Sequence, residues 1–344
     1  MVNRIALIFG GKSSEHEVSL MSAAACIRAI ENKYNLIYIG ITKEGKWKIV
    51  KDATPEMIEE NRWIEHSEDF NMGNLKDVCD FALPIVHGPY CEDGKLQGIF
   101  EMQDLPYAGC GVLASAIAMD KLAAKDVFKN LGLPITKHRA LLKFKWEEDE
   151  EKQIEKTKKA LGFPCFVKPA NMGSSVGITK AHNREEFVDA VNLAFKYDRR
   201  LIIEEAVDAR EIEIGILGND HPEASECGEI IHAEEFYDYD AKYNEGDRLK
   251  LLIPAPIKKE TKEEIAKIAI KAYQAIDGAG FARADFLVDR KTEKAYISEI
   301  NSIPGFTKYS MFPLLWQKTG MSFEEIIDKI IDLGLERYNE RHNA

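Results

Sequence analysis

Two pairs of polar residues occupy alternate positions in stretches that are typical of buried strands. The pairs are Arg283 with Asp285 and Glu299 with Asn301. Residues two apart on a strand point to the same face, so pairing of the two strands would bring two carboxylates, a carboxamide and a guanidinium together. Hard oxygen ligands of this kind suit Mg²⁺ that is bound jointly with nucleotide phosphates. The apolar neighbours of these residues favour a metal site over a surface hairpin with a salt bridge, because buried unpaired charge is costly.

A lysine followed by a loop of small residues provides a candidate phosphate-binding segment. The predicted strand Cys165–Lys168 leads into Asn171–Gly177, which contains two glycines and two serines. Glycines let backbone N–H groups approach an anion closely, and serine hydroxyls add donors. The segment is consistent with a triphosphate clamp, although the loop alone is equally consistent with an ordinary hairpin.

Further candidates lie where predicted strands end or helices begin. Ile202–Glu205, followed by Glu211, indicates a strand, a short crossover and a second strand. The crossover backbone could read an adenine edge and a carboxylate could bind ribose, whereas solvated acidic strand ends are the alternative. His87 follows the predicted strand Phe81–Val86, and ligands gather at such carboxyl ends in open α/β sheets. Glu15 lies at the start of the first helix, where stabilisation of the helix dipole is the alternative role.

One apparent phosphate-binding motif is incomplete. Gly11, Lys12 and Ser13 resemble the end of a P-loop, but the full pattern needs a glycine five residues before Gly11, where Ala6 stands. A P-loop is therefore not predicted.

These candidates need alternating strands and helices to position them, so we predict an α/β protein. The first region begins with the strand Arg4–Phe9, two glycines and a helix whose start has capping-box spacing at Ser14 and Glu17. Its stretch Asp52–Gly73 is polar and weakly periodic, which predicts a surface excursion.

Two more regions follow, beginning near Lys121 and near Leu217. The second region contains a predicted helix over Glu147–Ala160 and a half-buried strand from Glu211. The third contains the polar and aromatic loop His232–Arg248, which is long enough to close over a site as a lid.

Composition excludes several classes of protein. The chain has 344 residues and a formal net charge of −12, which argues against a general nucleic-acid binder. We expect no membrane span and no secretory signal, because no apolar run approaches the ~20 residues that a span requires. The six cysteines are scattered without a CxxC pair, which argues against a disulfide framework or a zinc site and indicates the cytoplasm.

Over nearly its whole length the chain resembles the D-alanine–D-alanine ligases of the ATP-grasp superfamily. The resemblance rests on ordered motifs, which are Gly10-Gly-Lys-Ser-Ser-Glu15-His-Glu-Val-Ser-Leu20, His87-Gly with Glu92-Asp-Gly-Lys-Leu-Gln-Gly98, Met119-Asp-Lys121, Lys168-Pro-Ala-Asn-Met-Gly-Ser174-Ser-Val-Gly177, Phe236-Tyr-Asp-Tyr-Asp-Ala-Lys242-Tyr243, Arg283-Ala-Asp285 and Glu299-Ile-Asn301-Ser-Ile-Pro-Gly305-Phe-Thr. Three departures from the family's usual residues, Cys91, Ala209 and Ser302, remove no catalytic group.

The resemblance implies a three-domain ATP-grasp fold with an N-terminal doubly wound parallel sheet. The implied domains are 1–120, 121–216 and 217–344, the last with the lid 232–248 and the metal site. The implied nucleotide ligands are Lys121, Lys168, Ser175, Glu204, Glu205, Val207, Glu211, Phe236 and Lys242, and Mg²⁺, as two ions that Mn²⁺ could replace, would bind Asp285, Glu299 and Asn301. Implied contacts with D-alanine or the reacting groups are Glu15, His87, Arg283, Gly305, Ser310 and Met311, and Glu15, Ser174 and Tyr243 would form a hydrogen-bonded set.

The implied reaction is ATP-dependent joining of two D-alanines through an acyl phosphate, for peptidoglycan precursor synthesis. A cytoplasmic homodimer without nucleic-acid or membrane partners is expected. Alternatives are a ligase that uses D-serine or D-lactate as second substrate, a different carboxylate–amine ligase, and a catalytically silent nucleotide-binding module. The retained pairs Arg283 with Asp285 and Glu299 with Asn301 argue against the silent module.

Overall fold

The computed structural model describes residues 3–173, 176–232 and 249–343. Within these ranges the strands are β1 Arg4–Gly10, β2 Asn35–Ile41, β3 Trp47–Val50, β4 Ser67–Asp69, β5 Phe81–Pro84, β6 His138–Leu142, β7 Cys165–Pro169, β8 Thr179–Ala181, β9 Arg200–Glu205, β10 Ala209–Leu217, β11 Glu223–His232, β12 Leu249–Leu252, β13 Phe281–Asp289 and β14 Ala295–Asn301. The α-helices are α1 His16–Ile30, α2 Pro55–Glu59, α3 Leu75–Val78, α4 Lys95–Met102, α5 Val112–Met119, α6 Lys121–Asn130, α7 Lys143–Glu148, α8 Glu150–Ala160, α9 Arg184–Ala194, α10 Lys259–Ala275, α11 Met311–Thr319 and α12 Phe323–Asn343.

The N-terminal sheet has the strand order β4-β3-β2-β1-β5. Strand β1 is parallel to β2 and β5, whereas β3 and β4 extend the sheet in antiparallel fashion. Apolar residues of β1 are fully buried, as expected for a strand that is covered on both faces. The carboxyl ends of β1 and β5 therefore lie side by side, and the segments that carry Glu15 and His87 follow them.

Two expectations for this region were wrong. Asp52–Gly73 is not only a surface excursion, because it contains α2 and β4 and its Trp63 is fully buried against Phe9, with the ring centroids 5.3 Å apart. The capping box does not form, since Glu15 rather than Ser14 precedes α1 and makes no side-chain cap. Instead Ser13 Oγ accepts the Glu15 N–H at 3.2 Å and donates to the His87 carbonyl at 2.6 Å.

The central sheet has the order β6-β9-β7-β8, with all three pairings antiparallel. Helices α8 and α9 supply Ile154, Phe187, Ala190 and Val191 to the core that covers one face of this sheet. The helix predicted over Glu147–Ala160 is divided into α7 and α8, because Asp149 leaves the helical conformation and caps α8 through its side chain.

The third sheet has the order β12-β11-β10-β13-β14, again antiparallel throughout. Its apolar face, which includes Ile212, Ile214 and Ile216 of β10, packs on α10. Strand β10 thus belongs to this sheet, although its residues fall within the range expected for the central domain. Leu217, Phe281, Phe306 and Phe312 also join the core under the N-terminal sheet, so the segment after β14 is packed against the first unit.

Candidate active site

Polar residues line the face of the third sheet that is opposite α10. The predicted cross-strand arrangement is confirmed, because β13 and β14 pair Arg283 with Asn301 and Asp285 with Glu299. Asn301 Nδ2 donates to Asp285 Oδ2 at 2.8 Å. Period-two alternation on two neighbouring strands is sufficient to bring these four side chains to one place.

Arg283 is enclosed by carboxylates on this face. Its guanidinium donates twice to Asp285, from Nε to Oδ1 at 2.7 Å and from Nη2 to Oδ2 at 2.8 Å. Glu213, which is opposite Asp285 on β10, places Oε2 3.0 Å from Arg283 Nε. Burial opposes the charge of the guanidinium, but Asp285 and Glu213 outweigh burial and raise the pKa of Arg283. A fixed positive charge therefore lies beside the candidate metal ligands.

The donor set fits a magnesium ion that shares its coordination with a nucleotide. Asp285, Glu299 and Asn301 supply only oxygen ligands, the type that Mg²⁺ prefers. Among the described residues, no group of three His, Cys, Asp or Glu side chains could hold a metal by itself. Two carboxylates and a carboxamide need further oxygens, which phosphates and water would supply.

Two lysines flank a buried glutamate at the junction of β7 and β9. Lys168 Nζ is 2.6 Å from Glu204 Oε2, and Lys125 Nζ is 2.8 Å from Glu204 Oε1. Thr136 Oγ1 also donates to Glu204 Oε1, at 2.7 Å. Burial favours the neutral carboxyl, but the two lysines outweigh burial and hold the pKa of Glu204 well below its usual value. Likewise, burial opposes the ammonium of Lys168, yet Glu204 raises the pKa of that lysine.

Lys121 connects this region to the candidate metal ligands. It is the first residue of α6, and its Nζ donates to the Met172 carbonyl at 2.8 Å and lies 3.1 Å from Glu299 Oε2. Lys121 therefore joins the loop after β7 to β14, two elements that sequence reasoning could not place together.

The predicted strand–crossover–strand is confirmed between β9 and β10. Glu205 ends β9, Val207 lies in the crossover and Glu211 lies on β10. Glu205 accepts the backbone N–H of Lys137 at 2.8 Å, so part of its acceptor capacity is used within the protein. Glu211 is on the same strand face as Glu213, two residues away.

Glu15 lies against glycines of two different units. A Cβ on Gly88 would be 2.6 Å from Glu15 Oε2, and one on Gly173 would be 3.4 Å from the same atom. The carboxylate thus occupies the space that a side chain at position 88 would take, and it lies in van der Waals range of position 173. The loop after β7 and the loop after β5 therefore meet at Glu15.

A second carboxyl group, Glu92, lies beside this position with 13% of its side chain exposed. Burial, with a smaller contribution from Glu15, raises the pKa of Glu92 to about 8, although its Oε1 accepts the Gly88 N–H at 2.9 Å. His87 is buried, and burial lowers its pKa. The His87 ring has partners at both nitrogens, with Nδ1 3.0 Å from the Ile303 carbonyl oxygen and Nε2 3.0 Å from Ser22 Oγ. Only the carbon edge of the ring remains for contact with a substrate.

The segment after β14 carries the remaining described candidates. A Cβ on Gly305 would be 2.9 Å from Ser310 Oγ, so a side chain at position 305 would displace that hydroxyl. Ser310 Oγ accepts the Thr307 N–H at 3.0 Å, and Ser310 directly precedes α11. Met311 is buried, and its sulfur occupies the space beside Gly228 of β11.

Five candidates, Ser174, Ser175, Phe236, Lys242 and Tyr243, lie outside the described residues, as does the proposed lid apart from its first residue.

Three residues of the site were not predicted from the sequence, namely Glu92, Lys125 and Glu213. Glu213 had a detectable signal, since it alternates with Glu211 along β10. Lys125 had none, because its partner Glu204 is far away in the sequence.

Comparison with known proteins gives matches over almost the whole chain. A sequence profile described as "D-ala D-ala ligase N-terminus" matches residues 4–110, and one described as "D-ala D-ala ligase C-terminus" matches residues 127–332. A D-alanine–D-alanine ligase of Thermoanaerobacter sp. (strain X514) is 48% identical, covering 98% of this chain and 98% of its own. One from Bacillus cytotoxicus is 44% identical, covering 98% and 97%.

Solved structures of similar fold include enzymes with different second substrates in their names. The VanG D-Ala:D-Ser ligase from Enterococcus faecalis superposes with a TM-score of 0.88 and 34% identity, covering 97% of this chain and 100% of its own. The D-alanine–D-alanine ligase from Coxiella burnetii gives a TM-score of 0.87 and 30% identity, covering 99% and 96%.

None of the described helices is long and apolar enough to cross a membrane.

Proposed function

We propose that this chain, which belongs to the D-alanine–D-alanine ligase family, joins two D-alanine molecules into D-alanyl-D-alanine for peptidoglycan precursor synthesis. It is an ADP-forming, ATP-dependent ligase of the ATP-grasp fold. The observation that carries the proposal is the polar face of β10, β13 and β14. There Arg283 lies beside Asp285, Glu299 and Asn301, and Lys121 pairs with Glu299. Such a face can neutralise the charge that accumulates when a carboxylate attacks a phosphate.

The first step requires two anions to approach each other. The carboxylate of the first D-alanine attacks the γ-phosphorus of ATP, so that an acyl phosphate forms and ADP leaves. Arg283 would stabilise the reacting carboxyl group together with the backbone of Gly305. Mg²⁺ held by Asp285, Glu299 and Asn301 would supply further neutralisation of the phosphates, and we propose two such ions.

The second step forms the peptide bond. The amine of the second D-alanine attacks the acyl carbon, and phosphate leaves the tetrahedral intermediate. We propose that Ser310 binds the carboxylate of this second substrate, with Met311 beside it. The free amine is the nucleophile, so the zwitterion must lose a proton before the attack.

ATP would bind between the second and third sheets. Lys121 and Lys168 would contact its phosphates, with Ser175 and Lys242 contributing from segments outside the described residues. Glu204 would act through Lys168, since lysines occupy both of its oxygens. The remaining proposed contacts are Glu205, Val207, Glu211 and Phe236, which would surround the adenosine.

The first D-alanine would bind next to Glu15, with His87 contributing its carbon edge. We propose that Glu15, Ser174 and Tyr243 form a hydrogen-bonded set that joins the three domains, 1–120, 121–216 and 217–344, when the lid 232–248 closes. A closed lid would protect the acyl phosphate from water. We also propose a cytoplasmic homodimer.

The experiment that tests this function is ADP release by the purified protein with a panel of D- and L-amino acids and D-lactate. We expect release with D-alanine alone, in the presence of Mg²⁺, and little with any L-amino acid. ADP release that needs an L-amino acid, or that no member of the panel stimulates, would refute the proposal.

A further inference from the structure

Ser22, on helix α1, connects the first unit to the segment that follows β14. Its side chain is completely buried. Its Oγ lies 3.0 Å from His87 Nε2 and accepts the backbone N–H of Phe306 at 3.3 Å. One hydroxyl therefore touches a residue after β5 and a residue after β14.

Donor and acceptor chemistry fixes the direction of each hydrogen bond in the series that joins Ile303, His87, Ser22 and Phe306. His87 Nδ1 faces the Ile303 carbonyl, which can only accept, so Nδ1 carries the proton. Burial lowers the pKa of His87, which keeps the ring neutral and leaves Nε2 as an acceptor. The Ser22 hydroxyl therefore donates to Nε2, and its oxygen accepts from Phe306.

These bonds anchor the two peptide units that flank the one carrying the Gly305 N–H. His87 holds the carbonyl of the Ile303–Pro304 peptide, and Ser22 holds the N–H of the Gly305–Phe306 peptide. Because a peptide unit is planar, fixing one of its polar groups orients the whole unit. The Pro304–Gly305 unit between them is restricted further, since proline fixes its own φ angle.

We propose that Ser22 is a positioning residue that, together with His87, sets the orientation of the Gly305 backbone toward the reacting carboxyl group. The inference rests on the proposed function, in which the Gly305 backbone stabilises that group. Packing of the Phe306 ring against Phe281 and Phe312 holds the side chain of the segment, but it does not orient the peptide N–H. Ser22 supplies that missing constraint from another unit.

Helix α1 offers a matched control in Ser19. Ser19 is equally buried, and its Oγ accepts the Gly10 N–H at 2.8 Å and donates to the Ile85 carbonyl. Both of its partners lie within the N-terminal unit. Ser19→Ala therefore removes a buried hydroxyl from the same helix without touching the segment after β14.

The test compares Ser22→Ala, Ser22→Cys and Ser19→Ala by hydrogen exchange and by kinetics. In Ser22→Ala we expect faster exchange in peptides covering 302–310. We also expect kcat to fall about 10- to 100-fold, because a small displacement of a reacting group lowers the rate by this order. The KM for ATP should stay within about twofold, and Ser22→Cys, which keeps a weak donor, should recover part of the kcat. Ser19→Ala should leave exchange over 302–310 unchanged.

Two results would overturn the role of Ser22. One is exchange over 302–310 in Ser22→Ala that matches Ser19→Ala, and the other is a kcat unchanged from the parent enzyme. Neither depends on which dipeptide the parent makes, because failure of the proposed function would appear in the unmutated protein. If Ser22→Ala is too unstable to purify, exchange over 302–310 is compared between Ser22→Cys and the parent. Faster exchange in Ser22→Cys would support the role of Ser22, and unchanged exchange would overturn it.

Discussion

At the scale of single residues, the candidate site is distinguished by how its charges are compensated. Arg283 has carboxylates on its own strand and on the neighbouring strand, and Glu299 has Lys121. Removal of Glu299 leaves Arg283 with Asp285 and Glu213, and it leaves Lys121 with its bond to the Met172 carbonyl. Loss of a single carboxylate should therefore affect the chemistry more than the fold.

Glu299→Gln tests the metal assignment at this scale. We expect ADP release to be abolished and Mn²⁺ binding, measured by electron paramagnetic resonance, to weaken, because one negative ligand is lost while the shape is kept. The melting temperature should change little, since Glu299 is partly exposed and its ion pair contributes modestly.

Glu226→Gln is the matched control for this substitution. Glu226 lies on β11 of the same sheet with 26% of its side chain exposed, against 30% for Glu299, and it pairs with Lys262 instead of Lys121. It should retain activity and Mn²⁺ binding. Unchanged ADP release by Glu299→Gln at saturating Mg²⁺ would remove Glu299 from the metal ligands.

Glu92 predicts how the stability of the ligand-free protein depends on pH. Its carboxyl group has a pKa of about 8 in the folded state against an ordinary value of 4.5, so the folded protein binds more protons than the unfolded chain between these pH values. Stability must then fall as the pH rises through this window.

Glu92→Gln removes that dependence while it keeps an acceptor for the Gly88 N–H. The melting temperature of the variant should exceed that of the parent by a margin that grows from pH 5 to pH 8. A margin that stays constant across this range would show that Glu92 is ionised in the folded protein.

At the scale of elements, the buried carboxylate of Glu204 on β9 binds the ammonium group of Lys168 on β7. Glu204 is bonded to Lys168, Lys125 and Thr136 together, so loss of one lysine leaves it compensated by the other. Lys125 is almost completely buried, whereas Lys168 is partly exposed. The two lysines should therefore have separable roles.

Lys168→Met and Lys125→Met form a pair of variants that tests this separation. We expect Lys168→Met to weaken ATP binding about tenfold or more, because a charge-assisted contact is lost, with a small change in melting temperature. Lys125→Met should lower the melting temperature and leave the ATP affinity within a few-fold. Calorimetric titration beside melting curves gives both quantities, and the reverse pattern would assign Lys168 to structure and Lys125 to the nucleotide.

The elements also show which parts of the site could be predicted from the sequence. Arg283, Asp285, Glu299 and Asn301 could be placed together because a period of two is local information and the two strands are neighbours in the chain. Lys125 could not be paired with Glu204, since their contact depends on how α6 packs under β9. Trp63 was missed because one buried aromatic residue among polar neighbours gives no periodic signal.

At the scale of the whole molecule, the C-terminal helix returns to the first unit. Tyr34 donates to Asp328 at 2.8 Å, and Ile326, Ile327, Ile330 and Ile331 of α12 pack in the core beneath β1. The apolar stripe of α12 was visible in the sequence, but its partner was not, because a stripe specifies a buried face without naming what covers it. The same limit explains why β10 was assigned to the neighbouring region.

The identity of the product depends on the second substrate, because the chain is also similar in structure to a D-Ala:D-Ser ligase. D-Serine adds only a hydroxyl to the same amine, and a pocket rejects such an addition weakly. The most direct measurement is mass-spectrometric product analysis near pH 7.5 with ATP, Mg²⁺, D-alanine and an equal concentration of D-serine or D-lactate. We predict D-alanyl-D-alanine as the main product in both mixtures. Dominant D-alanyl-D-serine or D-alanyl-D-lactate would show that D-alanine is not the preferred second substrate.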